Sequence, residues 1–194
     1  MTSENLKNPS VPVLANPVDL DAAIQLIQLG LADKLTWLEK SFGRARTHPS
    51  TVVDDKKRPE PKVYQGKSEY YPVLPNDALK SYSFFRTMGS REFNDYFPNT
   101  SVISQYTKVD LIIWGNLKAI DATRDGYFSE ELLNETTKAL STFSSVIIKK
   151  VWDDKPEDIF KGYHLEPNHL HLLMHPYFAF RIEMHIDYIL NCTP

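Results

Sequence analysis

One cysteine, Cys192, stands among 194 residues, so the chain holds no internal disulfide framework and a reducing compartment is the simpler expectation. No apolar run approaches the roughly 20 residues of a membrane-spanning helix. The start, MTSENLKNPSVPVLANP, has neither the basic opening nor the apolar stretch of a signal peptide, so synthesis in the cytoplasm without a membrane partner is expected. A basic surplus is also missing. Twenty-two Lys and Arg face 25 Asp and Glu, a formal net charge of −3, which is not the footprint of a protein living on nucleic acid. There is no Gly-rich phosphate loop, no G-x-S-x-G, no cysteine placed as a nucleophile and no paired-carboxylate motif. The sequence therefore reads as that of a non-enzyme with no cofactor. Sequons at Asn99, Asn134 and Asn191 carry no weight without secretion.

What is present is ample material for a core: 42% hydrophobic residues, with ten Phe, ten Tyr and three Trp, at the length of one ordinary domain. Residues 1–17 contain Pro9, Pro12 and Pro17 and read as an extended arm suited to ordering on a partner; residues 18–194 read as a single domain. From Leu20 to Leu38 apolar residues recur at threes and fours, which predicts helices over 18–29 and 31–42, broken at Gly30 and stopped at Gly43 near the basic Arg44 and Arg46. Residues 46–62 are polar and proline-bearing and predict an exposed loop, its Lys56, Lys57 and Arg58 balanced by Asp54 and Asp55. A hairpin is expected near 62–74 and a strand at 81–86.

Residues 87–100 mix charge with aromatics and predict a long assembly loop carrying Arg91, Glu92, Phe93, Tyr96 and Phe97. Beyond it come a buried strand at 104–115, an amphipathic helix at 129–143 with Ser129 as N-cap, and a strand at 145–152. A loop and short helix then lead to the segment HLHLLMHPYFAFRIEMHIDYIL, residues 169–190, which holds four of the six histidines.

From Tyr177 to Leu190 that segment alternates almost strictly. Phe178, Phe180, Ile182, Met184, Ile186, Tyr188 and Leu190 share one side; Ala179, Arg181, Glu183, His185 and Asp187 share the other. It predicts a half-buried strand longer than the usual 5–6 residues, one that bends or extends to pair with something else. Opposite signs along Arg181, Glu183, His185 and Asp187 point to cross-strand ion pairing or solvent, in a lumen or between subunits. The competing chemistry is a metal-dependent enzyme using His169, His171 and His175 with Glu166. A helix would bring only His171 and His175 together, and the general base of an H-E-x-x-H site is missing because Leu172 stands in its place.

The fold expected is α+β: a mostly antiparallel sheet of about five strands with helices packed on one face. The blocks LTWLEKSFGRA (35–45), VYQGKSEYYPVLPND (63–77), SFF (83–85), IFKGYHL (159–165) and LLMHPYFAFRIEMHIDY (172–188), in this order, resemble a family of uncharacterised structural-module proteins from phages and prophages of Bacteroidetes bacteria. Their order of elements is similar to that of the tail-terminator, or tail-completion, proteins of long-tailed phages. The resemblance implies a ring, of six subunits, at the head-proximal end of the tail tube in the virion. Its partners would be copies of itself, the tail tube protein and a neck or head-completion protein, with genomic DNA passing through without sequence-specific binding. A neck adaptor of the same module is the neighbouring expectation.

Overall fold

The structure is a computed structural model that describes residues 11–49, 59–93 and 104–190. Its first element is a single helix, α1 (Asp19–Lys34), with Asp19 and Asp21 in the first turn, where the helix dipole favours negative charge. Leu20, Ile24, Ile27 and Leu31 form its buried stripe. Two short helices broken at Gly30 were expected there, and the structure corrects this. A Cβ at Gly30 would lie 2.4 Å from Cζ of Phe143, so the glycine stays helical and makes room for a ring. After Lys34 the chain turns on the Leu35–Leu31 and Leu38–Leu35 backbone bonds and becomes strand β1 (Lys40–Arg44).

Strand β2 (Arg46–Pro49) then pairs with β3 (Pro59–Gly66), which forms a hairpin with β4 (Glu69–Pro72). The expected loop over 46–62 is thus strand at both described ends, and its Asp54, Asp55, Lys56, Lys57 and Arg58 lie outside the described residues. The hairpin at 62–74 is present. Its turn runs through Gly66, Lys67 and Ser68, all at positive φ.

Strands β5 (Ser81–Phe93) and β6 (Ser104–Asn116) follow, then the short α2 (Leu117–Ile120) and α3 (Ser129–Leu140). Ser129 is the first helical residue rather than the cap; Phe128 occupies the cap position under the Arg124 guanidinium, 4.2 Å from its ring centre. Strand β7 (Val146–Trp152), the one-turn helices α4 (Pro156–Ile159) and α5 (Pro167–His171), each with proline in its first turn, and β8 (Tyr177–Ile189) complete the order.

The main sheet runs β1-β5-β6-β8-β7, antiparallel except for the β1–β5 pair, so the α+β expectation holds. One face carries Phe178, Phe180, Ile182, Met184 and Ile186 of β8 against α1 and α3. The opposite face is covered too. Phe42, Tyr82, Phe84 and Trp114 pack there against Val63 and Val73 near the small β2-β3-β4 sheet and against Ile159 and Phe160 at α4. The central strands are therefore sandwiched, which explains the near-continuous apolar run in β6. Among the described residues no helix is long and apolar enough to cross a membrane.

The described half of the N-terminal arm lies on its own chain. Gln28, buried in α1, donates from Nε2 to the carbonyls of Pro12 (2.9 Å) and Ser41 (2.6 Å), and the Leu14 amide donates to Gln25 at 2.8 Å. Arg44 and Arg46, expected near the C-terminal end of a helix, instead both grip Asp21 Oδ2 in the first turn of α1, at 2.6 and 3.3 Å.

Candidate functional site

The long alternating strand does not lie at an edge. β8 is paired with β6 along its whole length and with β7 from Arg181 to Ile186, so that middle stretch lies inside the sheet. It does bring Arg181, Glu183, His185 and Asp187 onto one face, and the register shows what each meets.

Arg86 of β5 stands opposite Asp110 of β6, Asp110 opposite Glu183 of β8, and Glu183 opposite Lys150 of β7. This row of plus, minus, minus, plus crosses four strands. Two acids directly opposite each other are destabilising on a sheet unless cations intervene. Here two do. Arg86 donates to Asp110 Oδ2 from Nε (3.2 Å) and Nη2 (2.5 Å), and Arg181 places Nη1 3.6 Å from the same oxygen while Nη2 donates to Glu183 at 3.1 Å. Trp152 donates from its indole to Glu183 at 2.9 Å. The Arg181 guanidinium and the Lys150 ammonium lie over the Trp152 ring, at 5.1 and 3.6 Å. Tyr163 covers Arg86 at 5.1 Å.

Cross-strand ion pairing was expected of this face; burial was not. Arg181 is 0% exposed, and its Nε and Nη1 have no hydrogen-bond partner among the described residues. Burial raises the Asp110 carboxyl above the usual range, against the hydrogen bond and charge of Arg86 and the charge of Arg181, with Glu183 adding to the rise. Burial also pushes the Tyr163 phenol up to about 12. Cations and an indole hold both acids of the row.

Toward the ends of β5, β6 and β8 the same face opens to solvent. His185 stacks on Tyr106 at 5.5 Å, opposite Lys108, and Tyr106 donates to Glu92. A pocket of about 210 Å³ lies here, between Lys108, Asp110, Lys149, Glu183 and His185. Asp187 makes no ion pair with any described residue; its backbone amide donates to the Ser145 carbonyl. Partial burial holds the His185 imidazole below its usual range, helped by Lys149 and Lys108 and opposed by Glu92 and Asp187. The unfolded chain therefore takes up the proton first as pH falls, so folded-state stability declines through and below the ordinary histidine range. His185→Gln is expected to flatten part of that decline, leaving the part due to His169, which burial shifts the same way. Urea midpoints for both proteins at about pH 7.5 and about pH 5.5 check this. Parallel losses in the two proteins would remove His185 from the pH response.

The expected assembly loop over 87–100 is corrected for its first half. Arg91, Glu92 and Phe93 belong to β5, which passes a bulge between Met88 and Arg91 and pairs with β6 to Phe93. Tyr96 and Phe97 lie outside the described residues. β5 projects past β1, whose partners on it end at Phe85, and so the outer edge from Thr87 to Phe93 is unpaired among the described residues. Exposed apolar side chains mark this projecting end: Phe93 is 61% and Ile189 58% exposed. At the far side of the sheet β7 has no strand partner beyond β8 among the described residues, and its Ile147 is 46% exposed.

The remaining histidines are dispersed. Nδ1 of His169 accepts the Glu166 amide at 3.0 Å, and Glu166 returns a bond to the backbone of α5, so this pair closes a capping box. His171 ends α5; His175 lies beyond it, with its ring 5.9 Å from Tyr127. Among the described residues no group of three His, Cys, Asp or Glu side chains is placed to hold a metal ion.

Sequence reasoning missed Arg86, Asp110, Trp152 and Tyr163. A signal was present for one of them: a single carboxylate inside the apolar run of β6 demands a buried cation. No family model matches the chain, and no curated protein matches it.

Proposed function

We propose that this chain is a structural subunit of a phage virion, a tail terminator that forms a ring at the head-proximal end of the tail tube, ends tube polymerisation and joins the tail to the neck. The observation that carries the reading is that two unlike edges of one sheet lack a strand partner among the described residues: the outer edge of Thr87–Phe93 in β5 and the outer edge of β7. A closed ring uses a heterologous contact, in which each subunit offers one patch to the neighbour before it and a different patch to the neighbour after it. An unpaired edge is a template for another strand, and two of them on opposite sides of a sheet would let it continue from subunit to subunit. The exposed Phe93 and Ile189 at the projecting end suit burial against the tail tube protein or a neck protein.

The sequence blocks that resemble phage structural-module proteins support the same reading, as does the α+β order of elements. DNA would pass through without sequence-specific contact, and the subunit, made in the bacterial cytoplasm, would do no chemistry of its own. Light scattering of the purified chain across a concentration series, with negative-stain images, tests it. Rings are expected, of about six subunits, and Ile147→Arg or Phe93→Asp is expected to leave monomers. A chain that stays monomeric at high concentration and binds neither tube nor neck proteins would overturn the proposal. Binding to portal or head-completion proteins in place of the tube would move it to the neck.

A further inference from the structure

Where β1 leaves the main sheet to become β2, a cleft of about 690 Å³ opens between residues 44–47, residues 86–88 of β5 and the turn at 161–163. Its lining includes Arg44, Arg46, Arg86 and Lys161 and no carboxylate. Two acids behind it are shared. Asp21 serves both Arg44 and Arg46 through one oxygen, and Asp110 serves Arg86 from beneath the sheet face. Lys161 is exposed and makes no ion pair with any described residue, and the acids of α4, Glu157 and Asp158, lie outside the lining. The cleft therefore holds two positive charges more than its flanking acids supply, in a chain whose net charge is −3.

A second observation points to a ligand. Arg44 is largely buried and its Nε, itself buried, has no hydrogen-bond partner among the described residues, although Nη2 is bonded to Asp21. A desolvated guanidinium N–H without an acceptor is costly, so the Arg44 charge is incompletely met from within the protein and an oxyanion in the adjoining cleft would help to balance it. We propose that this cleft binds a phosphate group. Three guanidiniums from β1, β2 and β5 and an ammonium from the turn at 161–163 suit a tetrahedral anion better than a flat carboxylate. The two-charge excess matches the roughly −1.5 to −2 carried by a phosphomonoester. The volume accommodates the rest of a small phosphorylated molecule or one nucleotide of a chain.

Calorimetric titration of the full chain with inorganic phosphate, at low ionic strength and against chloride of equal ionic strength, tests the site. Saturable binding at one site per chain is expected, weakened about ten-fold or more in the Arg46→Ser/Lys161→Ser double variant. Both side chains are solvent-facing, so the variant should keep the wild-type unfolding midpoint, which is measured alongside. A nucleoside monophosphate and a short single-stranded oligonucleotide distinguish the source of the phosphate. Competition by the oligonucleotide with a steep salt dependence assigns a nucleic-acid backbone; competition by the monophosphate alone assigns a small molecule. Non-saturating heats, equal binding by the double variant, or tighter binding of a glutamate-rich peptide than of phosphate would overturn the proposal. None of these outcomes depends on ring formation.

Discussion

Asp110→Ala is expected to destabilise the fold by about 3–5 kcal/mol, because it strips the one carboxylate that lies between two buried guanidiniums. Arg86 would lose both of its bonds to Asp110, and Arg181, wholly buried, would keep Glu183 and the Trp152 ring. Burial already lowers the Arg181 guanidinium from its usual value, with Asp110 and Glu183 opposing that, so removing Asp110 leaves its desolvation less opposed. That loss is a large fraction of the 5–15 kcal/mol typical of a whole domain. Urea unfolding followed by circular dichroism should show a lowered midpoint at unchanged slope. Asp110→Asn, which keeps the shape and one acceptor, should fall between alanine and wild type. A loss below about 1 kcal/mol for the alanine variant would mean that water reaches the row and screens it.

The second large effect is expected at Trp114, whose truncation to alanine should cost about 3–5 kcal/mol. The side chain is fully buried and stacks between Tyr82 and Tyr177, with ring centres 5.3 and 5.6 Å away. Its indole donates to the carbonyl of Leu172 at 2.8 Å, which fastens the segment after α5 to the sheet. Trp114→Phe separates the two contributions. It retains most of the packing and leaves the Leu172 carbonyl unpaired, a loss of about 1–3 kcal/mol. Hydrogen exchange over residues 167–176 should quicken in both variants. Unchanged exchange there would show that the tryptophan fills space without anchoring the segment.

How far the sequence revealed this molecule depends on where tertiary contacts override the local period. β8 was legible because its two faces differ along its whole length and its register has no bulge against β6. The end of α1 was not. Leu35 and Leu38 keep helical spacing and are both buried, yet the backbone has already turned, so the same pattern serves two geometries. Gly30 looked like a break because a missing side chain is locally ambiguous; the ring it accommodates comes from Phe143, far along the chain. Residues 87–93 looked like a loop because a bulge leaves Gly89, where φ is +75°, and Ser90 without partners on β6 and because that end of the strand is exposed. At the site, the face shared by Arg181, Glu183, His185 and Asp187 followed from period alone. The burial of Arg181 did not, because it depends on Asp110 standing beside it in a strand some 70 residues away. The cleft at Arg44 and Arg46 was hidden for the same reason: its walls come from three stretches that only the fold unites.

The strand order has a consequence for how the chain is made. β8 is the last of the described strands to leave a ribosome, yet it lies between β6 and β7 in the interior of the sheet. Until Tyr177–Ile189 has emerged, β7 has no partner and one edge of β6 stands open. Nascent chains therefore pass through a stage with apolar strand edges exposed, and closure comes only when the final strand inserts between two that have been waiting for it. Slowing synthesis before residue 177 should lengthen that stage and raise the yield of aggregates, while the completed chain, once released, would have its central strands paired on both sides.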